Sequence, residues 1–358
     1  MFQDPLDTPA KMREKITGRP LMAVAHAGDQ LVAVGSRGLI AVSGDQGKTW
    51  TQSKVPVQSD LLAVQFPTAS EGWAVGHDGV VLHSTDGGKT WSKQLDGRAA
   101  GPAFKAFYKS GAGGKENMGE AAVTSISDAV YGKAATGPRI PGLLEQNYKS
   151  GPALPFIDVW FEDTQRGFVV GAFGMIAATT DGGKTWEPWL HRIDNSSSNL
   201  NAIRGIGGEV YIAGEQGRIF RLDRNRGFFT KMETGYIGSL FGITGNGESL
   251  IAYGLRGTAY RATLGGKPGS EKWEVVAMPN EHTLSAGIAL ADGSGFVLVN
   301  AAGELLIGDK AAKNFSALPA QKAMRMTGIA ELKANRGFVV TGIEGVRTVP
   351  PRNAAAGH

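Results

Sequence analysis

Short apolar runs, broken by polar turns rich in glycine, recur along this chain, while helical period is almost absent. Leu61 to Phe66, Gly72 to Val75, Val80 to Ser84 and Thr90 to Gln94 read as four successive antiparallel strands, because branched and aromatic residues fill each run and turn residues bound it. The last two are joined by Ser84-Thr85-Asp86-Gly87-Gly88-Lys89-Thr90-Trp91, and near copies of that phrase run from Ser43 to Trp50 and from Thr179 to Trp186. The repeated object is therefore a whole supersecondary unit.

Between the second and third run of each unit stands a Gly-x-x-Gly turn. These turns begin at Gly35, Gly76, Gly171, Gly214, Gly254 and Gly342, and Asn300 replaces the first glycine in a seventh copy, Asn300-Ala301-Ala302-Gly303. Successive spacings are 41, 95, 43, 40, 46 and 42 residues, the length of a four-stranded propeller blade apart from the one long interval. The surplus in that interval matches an irregular segment, 101–153. The expectation is an all-β fold over 1–358, a single seven-bladed β-propeller with four-stranded antiparallel blades and one long insertion between blades 2 and 3. Small residues precede a branched one on the innermost strands, as in Ala63-Val64, Asp158-Val159, Ala202-Ile203, Gly242-Ile243 and Gly328-Ile329, which fits crowding near the axis.

The repeated phrase reads as structure. Its Asp suits the amides of a tight turn, its glycines supply positive φ, and an Asp occupied in this way is badly placed to act as a base. In units four to six the Asp is lost or shifted, yet an aromatic survives as Phe229, Trp273 and Phe315. The seventh unit stops at Val349-Pro350-Pro351 without a fourth strand. Residues 1–20 are expected to supply it and close the ring, the alternative being a short helix with Thr8 as N-cap and Pro9 in its first turn.

Composition narrows the chemistry. The chain has no cysteine, which removes disulfides, thiolate catalysis and Cys-based zinc sites together and fits an exported protein. Its six histidines (26, 77, 83, 191, 282 and 358) have no metal-site spacing, so no metal and no cofactor are expected. A formal charge of +4 over 358 residues gives no reason to expect nucleic acid. Arg204, Arg218, Arg221, Arg224 and Arg226 form a local basic cluster, more simply read as solvated strand edges than as a site for acidic partners. No stretch approaches the roughly 20 apolar residues that span a bilayer. No secretory core is visible either, so the chain reads as cytosolic or as a mature form whose leader has been removed, and the start Met1-Phe2-Gln3 looks trimmed.

Two catalytic readings were tested. A phosphate-binding loop needs glycine five residues before each Gly-Lys-Thr, where Val42, His83 and Ala178 stand. A sialidase-like glycan hydrolase is the alternative function, because Asp-turn repeats occur in sialidases and Arg139-Ile140-Pro141 matches one of their motifs. That motif falls after two repeats instead of before the first. No catalytic residue is assigned.

The repeated Gly-x-x-Gly and Ser/Thr-x-Asp-Gly-Gly-Lys-Thr-Trp units resemble the Ycf48-like proteins, also called photosystem II stability/assembly factor-like or BNR-repeat proteins. Asp4 to Ala10, Phe156 to Phe161 and Gly167 to Gly171 look like a non-photosynthetic bacterial branch of them. The resemblance implies a non-catalytic seven-bladed scaffold, exported to the periplasm, that serves as an accessory or assembly factor for a membrane-associated protein complex such as an RND-type exporter. The Gly-x-x-Gly turns vary where the scaffold does not, so their tips, Arg37, His77, Asp78, Phe173, Gln216, Arg256 and Glu344, are the expected partner-binding face. The insertion shares that face, and Phe104, Phe107, Tyr108 and Tyr131 are its expected aromatic anchors. Its deletion is expected to weaken partner capture and leave thermal unfolding nearly unchanged.

Overall fold

A computed structural model describes residues 3–113, 139–194, 198–266, 269–318, 324–333 and 337–350. They build seven antiparallel sheets, six of four strands and one of three, each running in chain order from the axis outward. The innermost strands, Leu21–Ala27, Leu61–Gln65, Phe156–Phe161, Leu200–Ile206, Leu240–Gly245, Leu284–Ala289 and Met326–Glu331, pack side by side, and the last lies against the first. The result is the seven-bladed β-propeller expected from the repeat.

Every innermost strand opens in the same way. Its first residue is a buried Leu, Phe or Met, and the register then slips by one residue, as between Leu61 and Ala63 or between Met326 and Gly328. Such a bulge sharpens the local twist and turns the skipped side chain away from the strand's own face. The small residue after it lies where neighbouring inner strands are tightest: a Cβ on Gly328 would lie 3.1 Å from Ala23 Cα of the first blade. Asp158 is the exception. Its buried carboxylate accepts Ile203 N–H at 2.8 Å and pairs with Arg204, both on the next blade. Burial raises its pKa, and Arg204 opposes that shift.

The Asp turns are built as their sequence suggests. Asp86 accepts Thr90 N–H at 2.9 Å and Thr90 Oγ1–H at 2.6 Å, and Gly87 and Gly88 have φ of +71° and +87°. The same bonds hold Asp45, where Thr49 above all lowers the pKa to about 2, so the acid stays ionised and occupied. Trp91 Nε1–H donates to Gly88 O at 2.9 Å, and its ring packs edge-on to Phe66. In the sixth unit Asp309 takes the role, accepting the Lys313 and Asn314 amides.

Two expectations fail. Among the described residues no strand from 1–20 joins the last sheet, which keeps three strands. Residues 3–15 instead run along blades 1 and 2: Leu6 is buried in their shared core, Ala10 N–H donates to Val55 O, and Gln58 N–H donates to Pro5 O. The short-helix alternative fails as well, since Thr8 Oγ1–H donates back to Asp4 O and no helix follows it. Of this segment, the 3-10 turn Ile16–Gly18 packs against the last strand, Gly345–Val349. Ring closure falls to inner-strand contacts, including Thr327 Oγ1–H to Leu21 O at 2.7 Å.

The segment expected to be irregular also contains helices. Helix α1 (Gly97–Lys109) starts at Asp96, whose side chain accepts the Arg98 and Ala99 amides as an N-cap, and helix α2 (Arg139–Asn147) packs on it. Ala100, Phe104 and Leu144 are buried with Trp73, Phe161 and Met175 in one core.

The first glycine of each turn is fixed by a close approach. A Cβ on Gly76 would lie 2.0 Å from Asp60 O, whereas one on Gly44 would meet nothing within 4 Å. Gly76→Ala is therefore expected to cost about 3 kcal/mol, the upper end of overpacking effects, and Gly44→Ala less than ~0.5 kcal/mol. Chemical denaturation of the two variants checks this.

Candidate partner-binding face

In a blade of four antiparallel strands, the turn between strands two and three opens on the same face as the link to the next blade. The Asp turns lie on the opposite face. The Gly-x-x-Gly turns are fixed to this first face by a backbone bond repeated in all seven blades. The amides of Ser36, His77, Ala172, Glu215, Leu255, Ala301 and Ile343 donate to the carbonyls of Pro20, Asp60, Pro155, Asn199, Ser239, Thr283 and Arg325 at 2.8–3.3 Å. Each acceptor is the residue just before its blade's innermost strand.

With the turn anchored, the tip residue is forced into the left-handed region. Arg37, Asp78, Phe173, Gln216 and Arg256 have φ between +52° and +59°, an uncommon state for a non-glycine residue. The surroundings hold it there. Arg37 N–H donates to Asp60 Oδ1 at 2.7 Å and Phe173 N–H to Asn199 Oδ1 at 2.8 Å, each acceptor coming from the link into the next blade. Asp78 accepts Ser59 Oγ–H at 2.6 Å. The side chains are left outside: Arg37, His77, Phe173, Gln216, Arg256 and Glu344 are exposed and Asp78 is half-buried. In the last blade Ile343 and Glu344 form a two-residue hairpin, and Glu344 pairs with Arg347 at 2.5 Å.

The face also gathers apolar side chains that the pattern of tips did not single out. Ile237 lies in the link from blade 4 to blade 5 and is 88 % exposed, and Phe241 is the residue skipped by the bulge of blade 5. They join Phe173 (51 % exposed), Leu255 and Ile343. A cavity of about 400 Å³ is lined by Gln216, Lys231, Thr234, Tyr236 and Ile237. Ile237 was legible only as an apolar residue stranded between glycines, Gly235 and Gly238.

The aromatic anchors expected on the insertion are mostly spent on packing. Phe104 is 1 % exposed and belongs to the core between blades 2 and 3. Tyr108 Oη–H lies 3.0 Å from Pro188 O and 2.9 Å from His191 Nδ1, tying α1 to the outer strand of blade 3. Burial lowers the His191 pKa to about 4, with Arg192 adding to the shift, so the ring is neutral near pH 7. Phe107 is half-buried against Tyr108 and His191. Tyr131 lies outside the described residues. Removing 101–153 would therefore open the core, contrary to the expectation that it leaves unfolding unchanged.

The arginine cluster disperses. Arg204 pairs with Asp158, Arg221 with Glu209 and Arg224 with Glu162, Arg218 donates to Gln216, and the Arg226 guanidinium lies over the Phe228 ring. Arg218 stands on the face of the tips, whereas Arg224 and Arg226 stand on the Asp-turn face. Arg139-Ile140-Pro141 opens α2, with Ile140 packed on the core. Among the described residues no group of three or more His, Asp or Glu is arranged to hold a metal ion.

A family model described as photosynthesis system II assembly factor YCF48 matches residues 20–114 and 150–227, from the innermost strand of blade 1 to the third strand of blade 4. A solved structure described as YCF48 bound to D1 peptide superposes with a TM-score of 0.62 at 16% identity, over 95% of this chain and 97% of that one. YCF48 from Cyanidioschyzon merolae gives 0.63 at 16% identity, with the same coverage. The β-propeller domain of Cps50 (Swd1) from Myceliophteria thermophila gives 0.61 at 10% identity, over 95% and 99%. At such identities these structures speak for the fold. No curated protein matches the chain by sequence.

The two kinds of aromatic on this side separate by experiment. Phe104→Ala is expected to cost about 3–5 kcal/mol in chemical denaturation, and Phe173→Ser less than ~0.5 kcal/mol.

Proposed function

We propose that this chain, a Ycf48-like BNR-repeat propeller, is a non-catalytic accessory or assembly factor that grips a membrane-associated protein complex with its Gly-x-x-Gly face. One observation carries the reading. Of the seven large apolar side chains exposed among the described residues, five lie on that face: Phe173, Ile237, Phe241, Leu255 and Ile343. Exposed apolar groups cost solubility and collect on one side when a partner covers them. They share the face with Arg37, His77, Gln216 and Arg256, the mixture of apolar anchors and polar rim typical of a reversible protein interface.

The frame suits this use. Tip side chains change freely from blade to blade because the backbone bonds beneath them do not depend on side-chain identity, so a fixed ring presents seven independent contacts. A structural relative bound to a D1 peptide supports a polypeptide ligand. The resemblance to the non-photosynthetic branch leads us to place the protein in the periplasm and to name an RND-type exporter as the partner. The glycan hydrolase alternative gains no support: the three repeated Asp residues are held by turn donors, and Arg139 belongs to the insertion helix.

The test is photo-crosslinking in native membranes, with the reactive side chain placed at 173, 255 or 343 on one face and at 45 or 86 on the other. Crosslinks to subunits of one membrane complex are expected from the first set alone. The triple variant Phe173→Ser, Leu255→Ser, Ile343→Ser is expected to lower capture at least tenfold with its Tm changed by less than about 3 °C. Crosslinking from 45 and 86 equal to that from the tips, or undiminished capture by the triple variant, would show that the wrong face has been chosen.

A further inference from the structure

The N-terminal segment shows how this molecule holds an extended chain. Residues 5–13 run antiparallel to residues 52–58, the link from the outer strand of blade 1 into blade 2. Gln58 N–H donates to Pro5 O at 2.7 Å, and Ala10 N–H donates to Val55 O at 2.9 Å. The Gln52 side chain accepts Arg13 N–H and donates to Lys11 O. Ala10 lies over the second glycine of the turn, since a Cβ on Gly38 would stand 3.1 Å from Ala10 Cβ. Leu6 is buried in the core shared by blades 1 and 2, and Lys93 on the outer strand of blade 2 donates to Leu6 O. Under this cover Gln52, Val55 and Val57 are buried.

Blade 4 repeats this link without the cover. Positions 179 apart correspond, as Gly35 and Gly214 do at the turn and Leu61 and Leu240 at the next innermost strand. The counterparts of Val55 O and Gln58 N–H are therefore Thr234 O and Ile237 N–H, and among the described residues neither has a backbone partner. Lys231, Thr234 and Tyr236 are half-exposed where Gln52, Val55 and Val57 are buried, and the cavity of about 400 Å³ opens along them. Its frame is already set: Thr234 Oγ1–H donates to Gly217 O at 3.0 Å, Thr234 Oγ1 accepts Tyr236 N–H at 3.1 Å, and Gly217 N–H donates to Gly238 O at 2.6 Å. On blade 5, Val275 pairs with Tyr260 as Lys93 pairs with Leu82 on blade 2, and it is 71 % exposed. Its neighbour Glu274 turns to Arg261, which is bonded to Ala311 O of blade 6, so by strand alternation Val275 faces blade 4.

We propose that this groove docks an extended segment of the partner polypeptide, laid antiparallel to residues 231–237 as the chain's own residues 5–13 lie on blade 1. This assignment rests on the tip face being the one a partner covers, and it specifies what the partner presents there. The segment's backbone pairs with Thr234 O and Ile237 N–H, as in other cases of β-strand addition. A small residue sits over Gly217, and an apolar residue four places earlier reaches Val275 and the Tyr236–Tyr260 pair, because Ala10 and Leu6 have that spacing. The end beyond the small residue is acidic. Lys231 stands where blade 1 has Gln52, and an ammonium donates but cannot accept, so it favours a carboxylate where the glutamine amide serves a carbonyl and an N–H together.

The probe is a labelled peptide of residues 4–13 carrying Lys11→Glu, titrated against the full chain by fluorescence anisotropy. Saturable binding is expected. In the full chain, Ile237→Pro removes the N–H donor at an exposed position, and Lys231→Glu reverses the charge without touching the backbone. Each is expected to weaken binding at least tenfold with Tm changed by less than about 3 °C. A peptide that also carries Ala10→Phe is expected to bind at least tenfold more weakly. Absence of saturable binding, or equal binding of the Ala10→Phe peptide, would overturn the proposal. Binding undiminished by Lys231→Glu would overturn it too, by showing that the peptide displaces the N-terminal segment from blade 1 or docks elsewhere. A failed titration beside intact crosslinks from 173, 255 and 343 strikes the groove alone, whereas absent crosslinks strike the face and the partner assignment with it.

Discussion

The carbonyl that precedes each innermost strand is the point on which the rest of this molecule depends. It accepts the amide of the residue opening the Gly-x-x-Gly turn, and it lies so close to the turn's first glycine that a Cβ at any of the six such glycines would stand within 2.5 Å of it. One acceptor thus sets two constraints, a hydrogen bond and a steric limit. Together they fix how strand two ends against strand one. The bulge beside it turns the inner strand, the turn closes over it, and the tip residue is driven into the left-handed region with its side chain in solvent. The blade that lacks the first glycine keeps the hydrogen bond, with Ala301 N–H on Thr283 O at 2.9 Å, and Asn300 compensates by accepting the Ala302 and Glu304 amides.

A second regularity acts between blades. The Asp turn organises its own hairpin through its carboxylate, and its glycine also lets the hairpin rest on the preceding blade, on Val339 for Gly47, on Val32 for Gly88 and on Gln94 for Gly183. Turn chemistry and inter-blade packing are therefore one feature. In blade 4, where Asp223 accepts the turn amides of Asn225 and Arg226, Arg224 pairs with Glu162 at the seam. The last blade has three strands among the described residues, and there Phe338 of blade 7 packs in one core with Val297 of blade 6.

The fold was legible because its determinants are local. Seven Gly-x-x-Gly turns, their spacing and three Asp phrases sufficed for the blade count and, in blade 2, for strand positions to within two residues. The N-terminal segment was misplaced because its contacts lie with blades 1 and 2, through Leu6 and Asp7 to Lys93 and Arg98, pairs about ninety residues apart that no pattern announces. Helix α1 had a signal in Asp96 as N-cap and in Ala100, Phe104 and Tyr108 at four-residue spacing, but Gly97, Gly101 and Pro102 masked it with breaker residues. The tips were legible as positions that vary on a fixed frame, whereas Ile237 and Phe241 belong to links and bulges, where exposure is decided by tertiary geometry. The arginines looked like a cluster because sequence proximity hides the alternation of strand faces and the acids opposite them.

The account's central claim is that the face presented to a partner is held rigid by seven identical backbone bonds beneath variable tips. Amide hydrogen exchange of the free protein tests it most directly, read at Ser36, His77, Ala172, Glu215, Leu255, Ala301 and Ile343. These amides lie in turns at the surface and would ordinarily exchange quickly. Protection comparable to that of the innermost strands, at all seven positions, is the predicted result. Exchange at the rate of open surface turns would contradict it and leave the tips as loops without a common frame.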